Sequence, residues 1–307
     1  MKTIPNGVYP TMVTPFTDDL RIDFDALAPQ MDWYETHGVT GLFALCSSSE
    51  ITHLSFDERM QLLRALMKVR RSGTAILASG HVETEPAAFT REAQAFAAEG
   101  IDGYVFISSR VVFKEESDET FLRRLEAAAK VLGDIPLGIY ECPSPYQRPL
   151  TPWLIERLPD AGNFAFSKDT CCNLEKIKIK LQAAKGTPLK LYNANTATLL
   201  ESLRAGCEGF SGVMGNYHPQ LYTKMYECYA ENPALAERIQ KFLTTISRMR
   251  GRFYPAEAKY YQYLEGVPMG YACRCKETAE FDEQERAKVA QMREKTLAFE
   301  QEIAGKK

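Results

Sequence analysis

A chain of 307 residues with 45% hydrophobic and 25% charged side chains has the composition of a globular protein and room for one large α/β barrel or two ordinary domains. Its formal net charge of -3 supplies no basic field to recruit nucleic acid or an anionic membrane, and no apolar run is long enough to span a bilayer. The opening MKTIPNGVYP lacks the basic head and apolar core of a signal peptide, so the expected location is cytoplasmic.

Residues 7–14, GVYPTMVT, are apolar and stop at Pro15, which reads as a strand followed by the loop PFTDD. Residues 23–37 have helical periodicity through Phe24, Leu27, Met31 and Tyr34, with Gly38 as the stop. Residues 41–45 are continuously apolar, as in a parallel strand covered on both faces by helices, and end in Cys46-Ser47-Ser48-Ser49-Glu50. Ser55 and Glu58 form a capping box for a helix reaching Arg70. Strand signals then recur at 74–78, 102–107, 135–140, 164–168, 188–192 and 209–214, and helix signals at 85–99, 117–131, from Thr151-Pro152, 174–184 and 196–205.

These are eight strand-then-helix units with a spacing of about 30 residues, suited to right-handed βαβ crossovers. Eight such units close into a (β/α)8 barrel. A doubly wound open sheet would want a Gly-rich turn after its first strand, and PFTDD is not one. From Asn216 onward the chain reads as mostly helical, more than an eighth barrel helix requires. The expected division is a barrel over 1–220 and a C-terminal helical extension over 221–307, packed on the barrel.

The eight cysteines show no C-x-x-C spacing: Cys171 and Cys172 are adjacent, and Cys273 and Cys275 are one residue apart. Reduced thiols are expected. His37, His53, His81 and His218 form no H-x-H or H-E-x-x-H pattern, so no metal site is expected.

Active sites of (β/α)8 barrels lie at the C-terminal ends of the strands. Lys168 ends the sixth expected strand and Tyr140 the fifth, and neighbouring parallel strands run about 5 Å apart. A lysine buried there loses the stability of its charged form, and the neutral amine makes a Schiff base with a carbonyl; the alternative is a lysine that snorkels out at a strand edge. A phenol beside it can shuttle protons, or Tyr140 packs its ring and bonds a backbone carbonyl. Ser47 and Ser48 offer hydroxyl and N–H groups to a carboxylate, or belong to a polar loop that starts a helix. Glu141 is either a further acid/base beside the site or a solvated loop charge. Together the lysine, tyrosine and serines suggest a 2-oxo acid, its carboxylate at the second strand and its carbonyl carbon at Lys168.

The chain resembles the N-acetylneuraminate lyase/dihydrodipicolinate synthase family of class I aldolases and lyases along nearly its whole length. The opening G-x-x-x-x-x-V-T-P-F falls on residues 7–16, the G-x-T-G-E loop on 46–50, Y-N-x-P on 140–143 and the Schiff-base K-D/E-S/T on 168–170. A glycine-rich signature ending in N-x-x-P falls on Gly206, Gly209 and 212–219, and Y-P-x-x-x-K on 254–259. The resemblance implies Lys168 as the Schiff-base lysine, Tyr140 as proton shuttle, Ser47 and Ser48 on the carboxylate, and the main-chain carbonyl near Val213 facing substrate. It also implies a homotetramer or homodimer working without metal or organic cofactor.

Departures from the family pattern bear on substrate. Cys46 and Ser49 stand where the loop has glycines, so its backbone geometry is expected to differ. The region 108–112 has no tyrosine, Pro145 stands where dihydrodipicolinate synthases place an arginine, and Arg148 lies three residues later. These argue against lysine biosynthesis. The leading expectation is a Schiff-base aldolase or dehydratase for a 2-oxo-3-deoxy sugar acid or related pyruvate-releasing substrate. The alternatives are a dihydrodipicolinate synthase-like condensation of pyruvate with an aldehyde, and a barrel that binds a 2-oxo acid without turnover.

Overall fold

The computed structural model describes residues 3–71 and 73–305. The outer ends of the two expected domains, residues 1–2 and 306–307, lie outside the described residues. In chain order the elements are β1 (Gly7–Val8), α1 (Leu27–Thr36), β2 (Gly41–Ala44), α2 (Phe56–Val69), β3 (Ala75–Ala78), α3 (Pro86–Ala98), β4 (Gly103–Ile107), α4 (Ser108–Val111) and α5 (Asp118–Leu132). Then come β5 (Leu137–Tyr140), α6 (Pro152–Ala161), β6 (Phe164–Asp169), α7 (Leu174–Ala184), β7 (Lys190–Asn193), α8 (Leu199–Ala205) and β8 (Gly209–Phe210). Helices α9 (Pro219–Cys228), α10 (Pro233–Ile246), α11 (Ala256–Leu264) and α12 (Glu283–Ala304) complete the chain.

All strand pairs are parallel, in the order β1-β8-β7-β6-β5-β4-β3-β2. The ends of that row meet: the Thr40 N–H donates to the Val8 carbonyl at 3.0 Å, Phe43 to Pro10 at 2.9 Å, and Met12 to Phe43 at 3.1 Å. The sheet is therefore a (β/α)8 barrel, as the spacing of the apolar runs predicts.

Two strands stop well short of their expected ends. Pro10 has no N–H to give the ladder, so β1 breaks off after Val8 and touches β2 again only at Thr11. The apolar run after Gly209 leaves the sheet at Phe210 and coils into a tight turn over Val213–Asn216. At the β1–β8 seam an added Cβ on Gly209 would stand 1.8 Å from the Gly7 carbonyl oxygen, so this approach needs glycine.

The helices begin where the sequence places their caps. Ser55 accepts from the Glu58 N–H and the Glu58 carboxylate accepts from the Ser55 N–H. Ser117, Thr151 and Asn173 cap α5, α6 and α7 with a side-chain oxygen alone, each satisfying a first-turn N–H left open by helix geometry. The first helix starts later than its periodicity suggests, because the Asp23 carboxylate takes the N–H groups of Asp25 and Ala26 in a turn.

Aromatic side chains fill the barrel. Tyr9 meets Tyr192 edge-on at 5.3 Å, and Phe166 lies 4.6 Å from Tyr192 and 6.1 Å from Phe43. The hydroxyls of Tyr9 and Tyr192 both donate to the Pro5 carbonyl, at 2.7 and 2.8 Å. This closes the bottom and leaves the mouth as the open end. Helix α9 packs on β1 as the eighth barrel helix, so the expected boundary after residue 220 falls inside it. Helices α10 to α12 share the barrel's apolar core. They are also tied to it by buried polar contacts: Lys259 on α11 to Glu50 at 2.7 Å, and Gln262 to Gln30 and Tyr34, each at 3.0 Å.

Candidate active site

Side chains of a strand alternate between its two faces, and this decides what enters the barrel. Tyr140 on β5 is in register with Lys168 on β6, which is in register with Tyr192 on β7, and all three point inward. The Lys168 ammonium nitrogen lies 4.1 Å from the centre of the Tyr140 ring and 5.1 Å from that of Phe43. Tyr140 meets Phe43 edge-on at 5.5 Å. The lysine thus rests on the aromatic floor, 3% exposed.

Burial lowers the Lys168 pKa to about 8. The groups that oppose the shift are the thiols of Cys46 and Cys142, which face the amine; among the described residues no carboxylate contributes. Tyr140 moves the other way. Burial lifts its pKa well above that of a free phenol, Cys142 and Cys46 add to this, and the Ser47 hydroxyl pulls against it. A weakly held ammonium and a firmly held phenol proton therefore share one dry pocket. The Tyr140 hydroxyl meets these side chains rather than a backbone carbonyl.

The loop after β2 forms one wall. Ser47 is exposed at the mouth and its hydroxyl lies 3.3 Å from the Cys142 sulfur. Ser48 is buried; its hydroxyl donates to Thr11 at 3.0 Å and accepts from Tyr254 at 2.7 Å. Asn216 donates to Tyr254 at 3.1 Å, which continues the chain. Tyr254 reaches this wall from the helical segment, so reading by strand ends misses it; the Y-P-x-x-x-K run over 254–259 is its mark in the sequence. The loop's backbone is not strained at the two positions where glycine is absent. Cys46 is extended, at φ -106, and Ser49 sits in a turn. The left-handed residues are the flanking Leu45 and Glu50, at φ 46 and φ 60. Glu50 is locked there by Lys259 and by the N–H groups of Arg274 and Cys275, at 2.7 and 2.9 Å.

Val213 is half-buried in the turn after β8, and its carbonyl accepts from Asn216 at 3.1 Å. Ser211, just before it, is fully buried with a hydroxyl that has no partner among the described residues. Glu141 does not enter the pocket. It follows an inward Tyr140, so it faces out of the barrel, and it is not a solvated charge. It is fully buried and accepts from Lys180 on α7 at 2.5 Å and from the Leu150 N–H at 2.8 Å. Arg110 is spent on the Val82 carbonyl, and Arg148 on Asp118 at 2.7 Å and the Glu116 carbonyl at 3.0 Å. His81 packs against Phe89 and Phe106 outside the barrel. No cluster of metal-ligating side chains occurs among the described residues. A surface cavity of about 780 Å³ is lined by Tyr263, Met269 and residues 270–278 and not by Lys168 or Tyr140.

A barrel whose mouth holds a buried lysine against a tyrosine, with hydroxyls to one side, has the layout of a lyase that works through a lysine imine. Comparison with known proteins agrees. The chain belongs to the dihydrodipicolinate synthetase family, whose model matches residues 4–295, and it is a class I lyase. It is 28% identical over 267 residues to the 4-hydroxy-tetrahydrodipicolinate synthase of Acidiphilium cryptum (strain JF-5), covering 85% of this chain and 88% of that one. It is 26% identical over 250 residues to the enzyme of the same name from Anaplasma marginale (strain St. Maries), covering 80% and 79%. Among solved structures, the E. coli prophage protein YagE, of the dihydrodipicolinic acid synthase family and in complex with pyruvate, superposes with a TM-score of 0.84 at 23% identity, covering 94% and 96%. A sialic acid aldolase from Ruminococcus gnavus superposes with a TM-score of 0.81 at 19% identity, covering 94% and 97%. At these identities the structural likeness concerns the fold.

Proposed function

We propose that the protein cleaves or dehydrates a 2-oxo acid, a 2-oxo-3-deoxy sugar acid or a related pyruvate-releasing substrate, through an imine on Lys168. The observation that carries this reading is the Lys168 amine, buried against the Tyr140 ring with its pKa brought down to about 8. The neutral amine attacks C2 of the substrate, water leaves, and the resulting iminium draws electrons from C3. In the cleavage direction the C4 hydroxyl gives up its proton and the C3–C4 bond breaks toward the iminium. An aldehyde departs, and the enamine left on Lys168 takes a proton at C3. Hydrolysis then frees the 2-oxo acid. Tyr140 moves the protons: its ring lies 4.1 Å from the Lys168 nitrogen, and the Ser47 hydroxyl acts on its O–H from the mouth side. Ser47 and the Ser48–Thr11–Tyr254 hydroxyls receive the substrate carboxylate.

The names of the curated relatives favour a second reading, condensation of pyruvate with an aldehyde. Its aldehyde partner carries a carboxylate, and both arginines near the mouth are already engaged. We further propose a cytoplasmic homotetramer or homodimer; Phe113, 63% exposed beside the mouth, is an apolar side chain that a second copy would cover.

Borohydride reduction in the presence of pyruvate, followed by intact mass and peptide mapping, tests the reading. One reduced pyruvate on Lys168 is expected, and none in Lys168→Ala, which leaves the fold intact. An adduct that survives Lys168→Ala would remove Lys168 from its role. No adduct with pyruvate or any longer 2-oxo acid would leave the barrel without this chemistry.

A further inference from the structure

Immediately behind the reactive pair lies a buried group of three charges. Lys180 on α7 donates to the Glu141 carboxylate and to the Asp169 carboxylate, each at 2.5 Å. Glu141 and Asp169 are fully buried and Lys180 is 5% exposed. Glu141 directly follows Tyr140, and Asp169 directly follows Lys168. One ammonium group therefore grips the residue next to each member of the reactive pair.

The pairing of β5 with β6 gives this grip a purpose. Leu137 pairs with Phe164, but Gly138 pairs with Phe166, so the register shifts by one residue at the base of the two strands. A one-residue slip exchanges the two faces of a strand. If β6 slipped, Lys168 would turn out and Asp169 would turn in. An Asp or Glu facing into the pocket would also stabilise the ammonium form of Lys168 and quench the nucleophile. The contacts at the mouth oppose both. The Glu141 N–H donates to the Lys168 carbonyl at 3.2 Å, the Cys171 N–H to Asp169 at 2.9 Å, and the Leu150 N–H to Glu141 at 2.8 Å, so each carboxylate is held by a main-chain donor as well as by Lys180. Burial raises the Glu141 pKa against the pull of Lys180.

We propose that Lys180 is a positioning residue for the imine chemistry: by holding Glu141 and Asp169 on the outer face, it keeps Tyr140 and Lys168 facing each other in the mouth and keeps both carboxylates away from the amine. Its catalytic consequence rests on the reading of Lys168 given above; its effect on the Lys168 amine does not.

The test compares the full-length protein with Lys180→Met, Lys180→Arg and the charge-free triple variant Glu141→Gln/Asp169→Asn/Lys180→Met. The first readout needs no substrate. Lysines are labelled with a trace of acetic anhydride across pH, and labelling of Lys168 is followed by peptide mapping. The pH at which the Lys168 amine becomes reactive is expected to rise in Lys180→Met toward the ordinary lysine value of about 10, and to stay at the parental value in Lys180→Arg. The second readout is single-turnover trapping of pyruvate by borohydride. Its rate is expected to fall about 100-fold in Lys180→Met, as for a reacting group displaced by about 1 Å, with recovery in Lys180→Arg. Should Lys180→Met not fold, the triple variant decides, since it leaves no charge buried without a partner. It is expected to trap pyruvate slowly while labelling stays near the parental pH, the grip being lost and no carboxylate remaining to intrude. Parental labelling and trapping in Lys180→Met, or parental trapping in the triple variant when Lys180→Met is unfolded, would overturn the proposal. A parent protein that labels as expected at Lys168 but traps no 2-oxo acid would overturn the functional reading and leave the positioning of the amine standing.

Discussion

On the proposed reading, Lys168 owes its reactivity to what is kept away from it. Burial weakens its hold on the proton, and the carboxylates that follow Tyr140 and Lys168 in the chain are turned outward onto Lys180. Only the neutral amine attacks a carbonyl. The rate of imine trapping is therefore expected to climb as pH rises through about 8 and to level off above it, where the amine is fully deprotonated. Single-turnover trapping across that range checks this, and a rate that ignores pH would mean that another step or another group is being observed. Tyr140 divides at the same scale into a ring and a hydroxyl. The ring packs against Phe43 and carries the lysine, and both contacts survive in Tyr140→Phe. The hydroxyl does not. Turnover in Tyr140→Phe is expected to fall by about 100-fold or more while KM for the 2-oxo acid changes little. Unchanged turnover would return Tyr140 to a packing role.

The loop after β2 shows how an element is held in a shape its own residues do not favour. Glu50 ends it in a left-handed conformation, fully buried, and Lys259 from α11 meets it with no exposure of either side chain. Removing one partner of such a pair leaves a bare charge in the core, at a cost of about 3–5 kcal/mol. Lys259→Met is accordingly expected to lower unfolding free energy by that order, and to weaken binding of a 2-oxo acid because Ser47 and Ser48 lie on the same loop. Glu50→Gln/Lys259→Met is expected to recover much of the stability. Denaturant titration of the two variants checks this, and a double variant no more stable than the single one would count against the pair. The sequence announces both ends of this contact in the G-x-T-G-E and Y-P-x-x-x-K segments but not that they touch, because pairing across 209 residues leaves no local pattern. The ends of the middle strands, the helix caps and the Tyr140–Lys168 pair were legible because each depends on periodicity or on near neighbours. Glu141 was not, though its signals were there: alternation from an inward Tyr140 turns it out, and Lys180 occupies a position on the face of α7 that otherwise buries Ile177 and Ala184.

At the scale of the whole molecule, closing eight strands and wrapping them in helices buries titratable groups without giving all of them partners. Eight apolar runs between helices made that closure legible. The places where β1 and β8 leave the sheet were not, since an apolar run does not say where pairing stops. His218 lies in the segment where the chain leaves β8. It is fully buried and stacked on Tyr222 at 5.8 Å, and neither ring nitrogen has a partner among the described residues. Burial pushes its pKa from 6.5 to about 3. Between those values the unfolded chain binds the proton and the folded chain refuses it. The stability that His218 contributes is therefore whole above about pH 6.5 and is lost as pH falls toward about 3. His81 adds a second loss of the same sign. Glu141, Glu92, Glu208 and Glu300 are raised in the fold, so their contribution runs the other way and is lost as pH rises. The net curve mixes these signs, and one substitution separates them. His218→Phe keeps the ring stack and removes the proton. The stability difference between parent and variant is expected to be flat above neutral pH and to move against the parent by about 2 kcal/mol on going from about pH 7.5 to about pH 5. Denaturant unfolding of both proteins at those two pH values measures it. A difference that does not move would mean that the His218 ring finds water or an acceptor inside the folded protein.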